Sequence, residues 1–299
     1  PFNRQSQDPG GAIIEPRYYQ EIAINAATQS ILAGKKKVLL TMATGTGKTF
    51  VAFQLAHRLW TTKKPHPKIL FLADRDVLLN QAKNNAFAAF GESRHRIQRR
   101  SNTAYDMYFA LYQALDVDKE EGELYKQYTP DFFDYVIIDE CHRGSSTEGG
   151  EWRNILEYFK SAVHVGMTAT PKRDEDNKDT YDYFGAPIYS YSLKQGIEDG
   201  FLAPYMIHQV HLDIDQRGYT PQKGEKDVDG KLLEERTYGI KDFDRILKID
   251  SRRKTIAAHL IKFLEENGAK FDKTILFCQN SEHALAMTEY LREFSGEKF

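Results

Sequence analysis

The chain has 299 residues, enough for two domains, and its 41% hydrophobic and 28% charged content is that of a globular protein with a sizeable core. A formal net charge of -2 excludes a uniformly basic nucleic-acid binder while leaving local basic clusters open. No run approaches the ~18 consecutive apolar residues of a membrane span, so no membrane partner is expected.

Residues 1–16 read as a flexible leader with no signal-peptide pattern, and a chain opening on Pro1 reads as a segment of a longer product. Residues 17–32 carry apolar side chains at helical spacing and stop at Gly34. Val38-Leu39-Leu40 is then a short buried strand, followed by a glycine-rich turn and a helix over residues 50–60 with Phe50, Phe53 and Ala56 on one face. Residues 68–73 predict a second strand and residues 77–90 a second helix; further strands follow at 135–138 and 162–166. Continuous apolar strands alternating with helices predict an α/β fold with a mostly parallel sheet covered on both faces. Residues 116–123, with five acids and one lysine, and the acid-rich residues 174–182 are expected to be surface connectors.

The pattern changes near Asp199-Gly200. Residues 205–213 alternate only partly, and residues 217–239 are polar with four glycines, a loop-rich insertion or linker. A helix is predicted over 252–264, a buried strand over 274–278 and a helix over 282–294. This reads as the opening of a second α/β domain, since one strand and two helices cannot close a doubly covered sheet. The two cysteines, Cys141 and Cys278, sit in or just after apolar runs and are expected to be buried free thiols in a reducing, cytoplasmic compartment.

The chemistry concentrates in Ala43-Thr44-Gly45-Thr46-Gly47-Lys48-Thr49, placed between a strand and a helix. Such a loop turns its backbone N–H groups and a helix N-terminus onto phosphate; Lys48 adds a positive charge for the terminal phosphates, and the Thr49 hydroxyl suits Mg²⁺. Ala43 replaces the usual leading glycine. Asp139-Glu140-Cys141-His142 follows the strand at 135–138, which puts two acids at the carboxyl end of a central strand, where α/β sheets bind ligands. Asp139 there can hold Mg²⁺ and Glu140 can activate a water that attacks phosphate.

With Arg17-Tyr18-Tyr19-Gln20, the phosphate loop, Leu72-Ala73-Asp74-Arg75, Asp139-Glu140-Cys141-His142 and Thr168-Ala169-Thr170 occurring in order, the chain resembles the superfamily 2 helicases and translocases. Asp199-Gly200-Phe201-Leu202-Ala203-Pro204, Lys241-Asp242-Phe243-Asp244-Arg245 and the segment from Ile275 to Ala284 make it most similar to the motor (R) subunit of type I restriction enzymes. The resemblance implies a RecA-like P-loop NTPase domain over residues 17–200, and over 201–299 a linker or insertion with the start of a second RecA-like domain. It implies ATP and Mg²⁺ as ligands, double-stranded DNA as the track, and modification and specificity subunits as partners. Gln20 would contact adenine, with Thr44, Gly45, Thr46, Gly47, Lys48 and Thr49 around the phosphates. His142, Thr168, Ala169 and Thr170 would couple nucleotide state to DNA. Taken singly, the two threonines read equally as strand-end caps and His142 as a polar loop residue. The glycine-rich and arginine-bearing motifs of the second motor domain have no counterpart before Phe299, and Pro130-Asp131 is no convincing nuclease motif. The segment alone is therefore expected to bind Mg-ATP and hydrolyse it poorly.

Residues 63–100 hold nine lysines and arginines against three acids, densest at Arg94, Arg96, Arg99 and Arg100. This suits sequence-independent contacts to backbone phosphates, or equally a solvated surface. Arg75 is favoured by the resemblance. Arg252-Arg253-Lys254 puts positive charge at a helix start, where it is unfavourable, and reads as a second contact or merely a charged first turn. The sequence leaves open a general unwinding enzyme, a nucleotide-gated DNA-binding module and a small-molecule kinase beside the duplex-DNA translocase.

Overall fold

The computed structural model describes residues 15–98, 101–116, 123–142, 151–169, 178–227 and 230–296. They divide into two units, Pro1–Tyr205 and Met206–Phe299.

The first unit is built on seven parallel strands: β1 (Lys37–Met42), β2 (Ile69–Ala73), β3 (Arg94–Arg96), β4 (Met107–Leu111), β5 (Tyr135–Ile138), β6 (Val163–Thr168) and β7 (Tyr189–Tyr191). Their order across the sheet is β3-β4-β2-β5-β6-β1-β7. Side chains alternate between faces along each strand. Val38, Leu40, Ile69, Phe71, Ile137 and Val165 enter one apolar layer with helices α1 (Tyr18–Leu32) and α2 (Lys48–Thr62). Leu39, Leu70, Leu72, Val136 and Ile138 enter the other, with Trp152, Ile155 and Leu156 of helix α5 (Glu151–Tyr158). Burial on both faces explains why these strands are continuously apolar.

Several expectations need correction. The helix expected over 77–90 is a short α3 (Asp76–Gln81) followed by a π-helical turn, Ala82–Ala86, and a 3-10 segment, Ala88–Ser93. That last segment holds Gly91 at φ +54°, outside helical geometry. β4, followed directly by the short helix α4 (Tyr112–Asp116), and β7 had no sequence assignment, although Met107–Leu111 is an apolar run. Part of the acidic 174–182 segment is not a loop, since helix α6 spans Lys178–Phe184. Residues 117–122 of the other connector lie outside the described residues. Helix α7 (Leu193–Glu198) closes the unit, capped by Ser192, whose Oγ accepts from Gln195 N at 3.2 Å.

The second unit has helices α8 (Asp213–Arg217), α9 (Asp250–Glu266) and α10 (Ser281–Ser295), with a small core of Leu233, Tyr238, Phe243 and Leu247 beneath irregular chain. The strand expected at 274–278 does not form: no strand pairs with it among the described residues, and Ile275 and Phe277 are 79% and 90% exposed. A parallel strand depends on neighbours for its ladder bonds, and apolar sequence alone does not supply them. Cys278 is accordingly only half-buried, whereas Cys141 is fully buried; both are free thiols. The positive charge at the start of α9 also has a structural explanation. Arg253 Nε and Arg252 donate to the buried Asp244 carboxylate at 2.6 and 2.9 Å, and Arg252 Nε donates to Asp215 at 2.8 Å. Lys254 pairs with Asp250 at 3.0 Å. Among the described residues no helix is long and apolar enough to cross a membrane.

Candidate active site

The carboxyl ends of β1, β2, β5 and β6 bring the sequence motifs together. After β1 the chain turns through Gly45 and Gly47, at φ +84° and +82°, and enters α2 at Lys48. A Cβ on Gly47 would stand 2.5 Å from Gln20 Nε2 and push that amide off its bond to Thr46, while the positive φ itself favours glycine. Thr46 Oγ1 donates to Ala43 O at 2.6 Å and holds the turn closed. Thr44 and Gly45 are exposed at the tip, Thr46 and Lys48 are buried, and Thr49 is half-buried.

The acids sit opposite. Asp139 N donates to Leu72 O at 2.9 Å and Cys141 N to Met167 O at 3.0 Å, so the box is anchored to β2 and β6 on its two sides. Asp139 Oδ1 accepts from Glu140 N at 3.0 Å, and Glu140 adopts φ +52°, a left-handed geometry costing about 1–2 kcal/mol for a residue with a Cβ. That turn directs Glu140 Oε1 to within 3.3 Å of Lys48 Nζ and Oε2 to within 3.3 Å of His142 Nδ1. His142 Nδ1 is also 2.9 Å from Thr168 Oγ1, which joins the end of β5 to the end of β6. Lys48, Glu140, His142 and Thr168 thus follow one another within 3.3 Å, the Glu140–His142 step being a close approach without a hydrogen bond. Ala169 is half-buried beyond Thr168, and Thr170 lies outside the described residues.

Gln20 is buried beneath the loop. Its Nε2 donates to Thr46 O at 2.8 Å and its Oε1 accepts from Arg17 N at 2.9 Å. Tyr19 OH also donates to Thr46 O, at 3.1 Å. This second brace was not legible beforehand, because nothing in a lone tyrosine marks its hydroxyl's partner. Arg75 follows β2 with its side chain 65% exposed, 3.5 Å from Asp74.

The basic cluster is less open than its composition implied. Arg94 donates to Gly91 O and Lys83 O at 2.8 and 2.5 Å, and Arg96 donates to Asn80 Oδ1 at 2.8 Å and pairs with Asp76. Both guanidinium groups thus fasten the edge strand β3 to the preceding helical segment. Arg99 and Arg100 lie outside the described residues.

The site suits a phosphate ligand with a divalent cation. Among the described residues no group of three or more His, Cys, Asp or Glu side chains forms a metal cage. Mg²⁺ needs none, being commonly held by one or two protein groups together with substrate phosphates. Burial, and then the neighbouring Glu140, pushes the Asp139 carboxyl up to about 6, while Lys48 opposes the rise. A buried acid short of positive charge is a fitting cation ligand.

A stability prediction follows from this shift. A carboxyl whose folded value lies above its unfolded value withdraws stability as pH rises from about 4 to 6. Asp139→Asn is expected to raise nucleotide-free stability at pH 7.5 by roughly 1–3 kcal/mol, with the gain shrinking toward pH 4. Urea denaturation at several pH values checks it. A variant less stable than wild type at pH 7.5 would show that Lys48 attraction outweighs burial.

Known proteins resemble this chain along its whole length. Residues 13–173 match the family described as ResIII, type III restriction enzyme, res subunit. The chain is 46% identical over 299 residues to the type I restriction enzyme EcoAI endonuclease subunit of Escherichia coli, covering all of this chain and 36% of that protein. It is 28% identical over 332 residues to the EcoKI endonuclease subunit of Escherichia coli strain K12, covering 98% of this chain and 27% of that one. A solved fragment assigned to the HsdR subunit of a type I restriction enzyme from Vibrio vulnificus YJ016 matches at 44% identity and a TM-score of 0.70, covering 94% of this chain and 46% of that one. The chain spans roughly a third of the length of these curated relatives. With more than half of its length matched, the chain belongs to the ResIII restriction-enzyme family of superfamily 2 helicases, and the two curated relatives above are endonuclease subunits of type I restriction enzymes.

Proposed function

We propose that this chain is the nucleotide-binding part of an ATP-driven motor that moves along double-stranded DNA together with the modification and specificity subunits of a type I restriction complex. Family membership implies nucleotide and metal use; the choice of ATP and Mg²⁺ rests on the residues. The observation that carries the reading is the 3.3 Å approach of Lys48 Nζ to Glu140 Oε1 above buried Asp139, which sets a phosphate-binding cation beside a base.

The loop N–H groups of residues 44–49 and Lys48 hold the triphosphate. Thr49 and Asp139 would hold Mg²⁺, which when bound would neutralise charge on the phosphate oxygens. Glu140 accepts a proton from the water that attacks the γ-phosphorus as the bond to the ADP oxygen breaks. His142 and Thr168 are the route by which a change at Glu140 reaches β6. Exposed Arg75 is the first choice for a contact to the DNA backbone, ahead of Arg94 and Arg96 with their internal partners. Arg99 and Arg100 would add to it.

The test is triplex displacement by the intact motor subunit assembled with its modification and specificity subunits. ATP-dependent displacement, with ATP turnover raised several-fold by duplex DNA, is the expected result. Strand separation in place of triplex displacement would favour an unwinding enzyme, and turnover indifferent to DNA would overturn the motor reading.

A further inference from the structure

The segment after α7 lies against the nucleotide loop, and none of the site chemistry above uses it. The hydroxyls of Tyr18 and Tyr191 both donate to Asp199 Oδ2, the second at 2.6 Å. Tyr191 is itself tied to the loop, since its carbonyl accepts from Ala43 N at 2.9 Å. Its ring stacks on Tyr19 with centroids 4.1 Å apart and planes 7° from parallel. Tyr19 in turn donates to Thr46 O. Beyond Asp199 the chain folds back: Phe201 N and Leu202 N both donate to Gly196 O, at 2.9 and 2.8 Å. Phe201 packs edge-on to Tyr19 at 5.1 Å, with the Arg17 guanidinium 4.7 Å above its ring. Leu202 Cδ2 stands 3.1 Å from where a Cβ on Gly45 would be.

These contacts run from Thr46 to Tyr19, from Tyr19 to Tyr191 and from Tyr191 to Asp199, and Leu202, three residues further on, lies beside Gly45 of the same loop. Thr46 and Gly45 both belong to the loop whose N–H groups would surround phosphate. Asp199 and Leu202 lie shortly before Met206, where the second unit begins. Two hydroxyl donors hold the Asp199 carboxyl below its ordinary value, Tyr18 contributing more than Tyr191. A carboxylate shared by Tyr18 and Tyr191 fixes both of their rings, and Tyr191 in turn backs the stacked ring of Tyr19, whose hydroxyl donates to Thr46 O.

We infer that Asp199 is a positioning residue for the nucleotide loop, and that through it occupancy of the loop is registered in residues 199–204, the segment leading to the second unit. The inference rests on the reading that residues 44–49 bind nucleotide.

Hydrogen exchange with and without Mg-ADP tests it, alongside titration with a fluorescent ATP analogue. In the wild-type protein nucleotide is expected to slow exchange at the Phe201 and Leu202 amides by about tenfold or more, together with the amides of residues 45–49. Asp199→Asn is expected to weaken analogue binding about five- to tenfold, the loss of a charged hydrogen-bond acceptor. At saturating nucleotide this variant should protect residues 45–49 but not residues 201–202. Tyr18→Phe removes one donor while keeping the ring and serves if the first variant folds poorly; a smaller loss of affinity, about two- to threefold, is expected. Protection at 45–49 with none at 201–202 in the wild type overturns the inference and leaves the ATP site standing. No analogue binding and no protection at 45–49 overturns the ATP site itself.

Discussion

Glu140→Gln is expected to lower ATP turnover by about 10²–10⁴-fold while leaving nucleotide affinity equal to wild type or better. Glutamine keeps the shape and the left-handed turn but cannot take a proton from water. The carboxylate is held for that task from two sides, Oε1 by Lys48 and Oε2 near His142, and no hydrogen bond reaches Oε2 among the described residues. An acceptor oxygen that is buried yet not spent on a donor is free to take one. Affinity is preserved because Glu140 competes with phosphate for Lys48, and the neutral side chain competes less. The checks are steady-state phosphate release by the assembled complex with DNA and titration with an ATP analogue. Turnover within tenfold of wild type would remove Glu140 as the base and leave Asp139 as the remaining acid of the box. Glu140→Asp, which keeps a base but withdraws it by one methylene, should fall between the two.

The loop and the acid box were legible in sequence because each is a short linear pattern whose backbone geometry follows from its own residues. Glycines at positions 45 and 47 need positive φ, and an acid pair after Tyr135–Ile138 must emerge at the end of a strand. The strand at 274–278 misled for the opposite reason. Its side chains are apolar like those of β2, but β2 lies between β4 and β5, and among the described residues Ile275 and Phe277 have no such neighbours. Arg94 and Arg96 show the same limit for charge: composition counts them as free cations, whereas Asp76, Asn80 and two carbonyls take them up. Arg252 and Arg253 repeat it in α9, where only the fold reveals the buried Asp244. The Tyr18–Asp199 bond links residues 181 positions apart, and no local pattern in either segment announces the other.

Lys48→Ala is expected to weaken ATP-analogue binding by about 100-fold or more and also to destabilise the nucleotide-free protein. The first effect is the loss of a cationic donor to two phosphates, each charge-assisted bond being worth about 1.5–3 kcal/mol. The second comes from the acids left behind. Lys48 is only 8% exposed, and it offsets both Glu140 and buried Asp139. Removing one partner of a buried pair costs about 3–5 kcal/mol when fully enclosed. Glu140 retains 18% side-chain exposure, which moves the expectation to the low end of that range. The two effects separate in a double variant. Lys48→Ala combined with Glu140→Gln removes the stranded charge, so stability should recover in part while affinity stays low. Urea denaturation of the four proteins of this cycle gives the coupling between the two side chains, and analogue titration gives the affinity. Unchanged affinity in a folded Lys48→Ala protein would take Lys48 out of the site. A double variant no more stable than Lys48→Ala would show that Glu140 tolerates the loss of its cation, and that the ion pair serves to aim the carboxylate and contributes little to the fold.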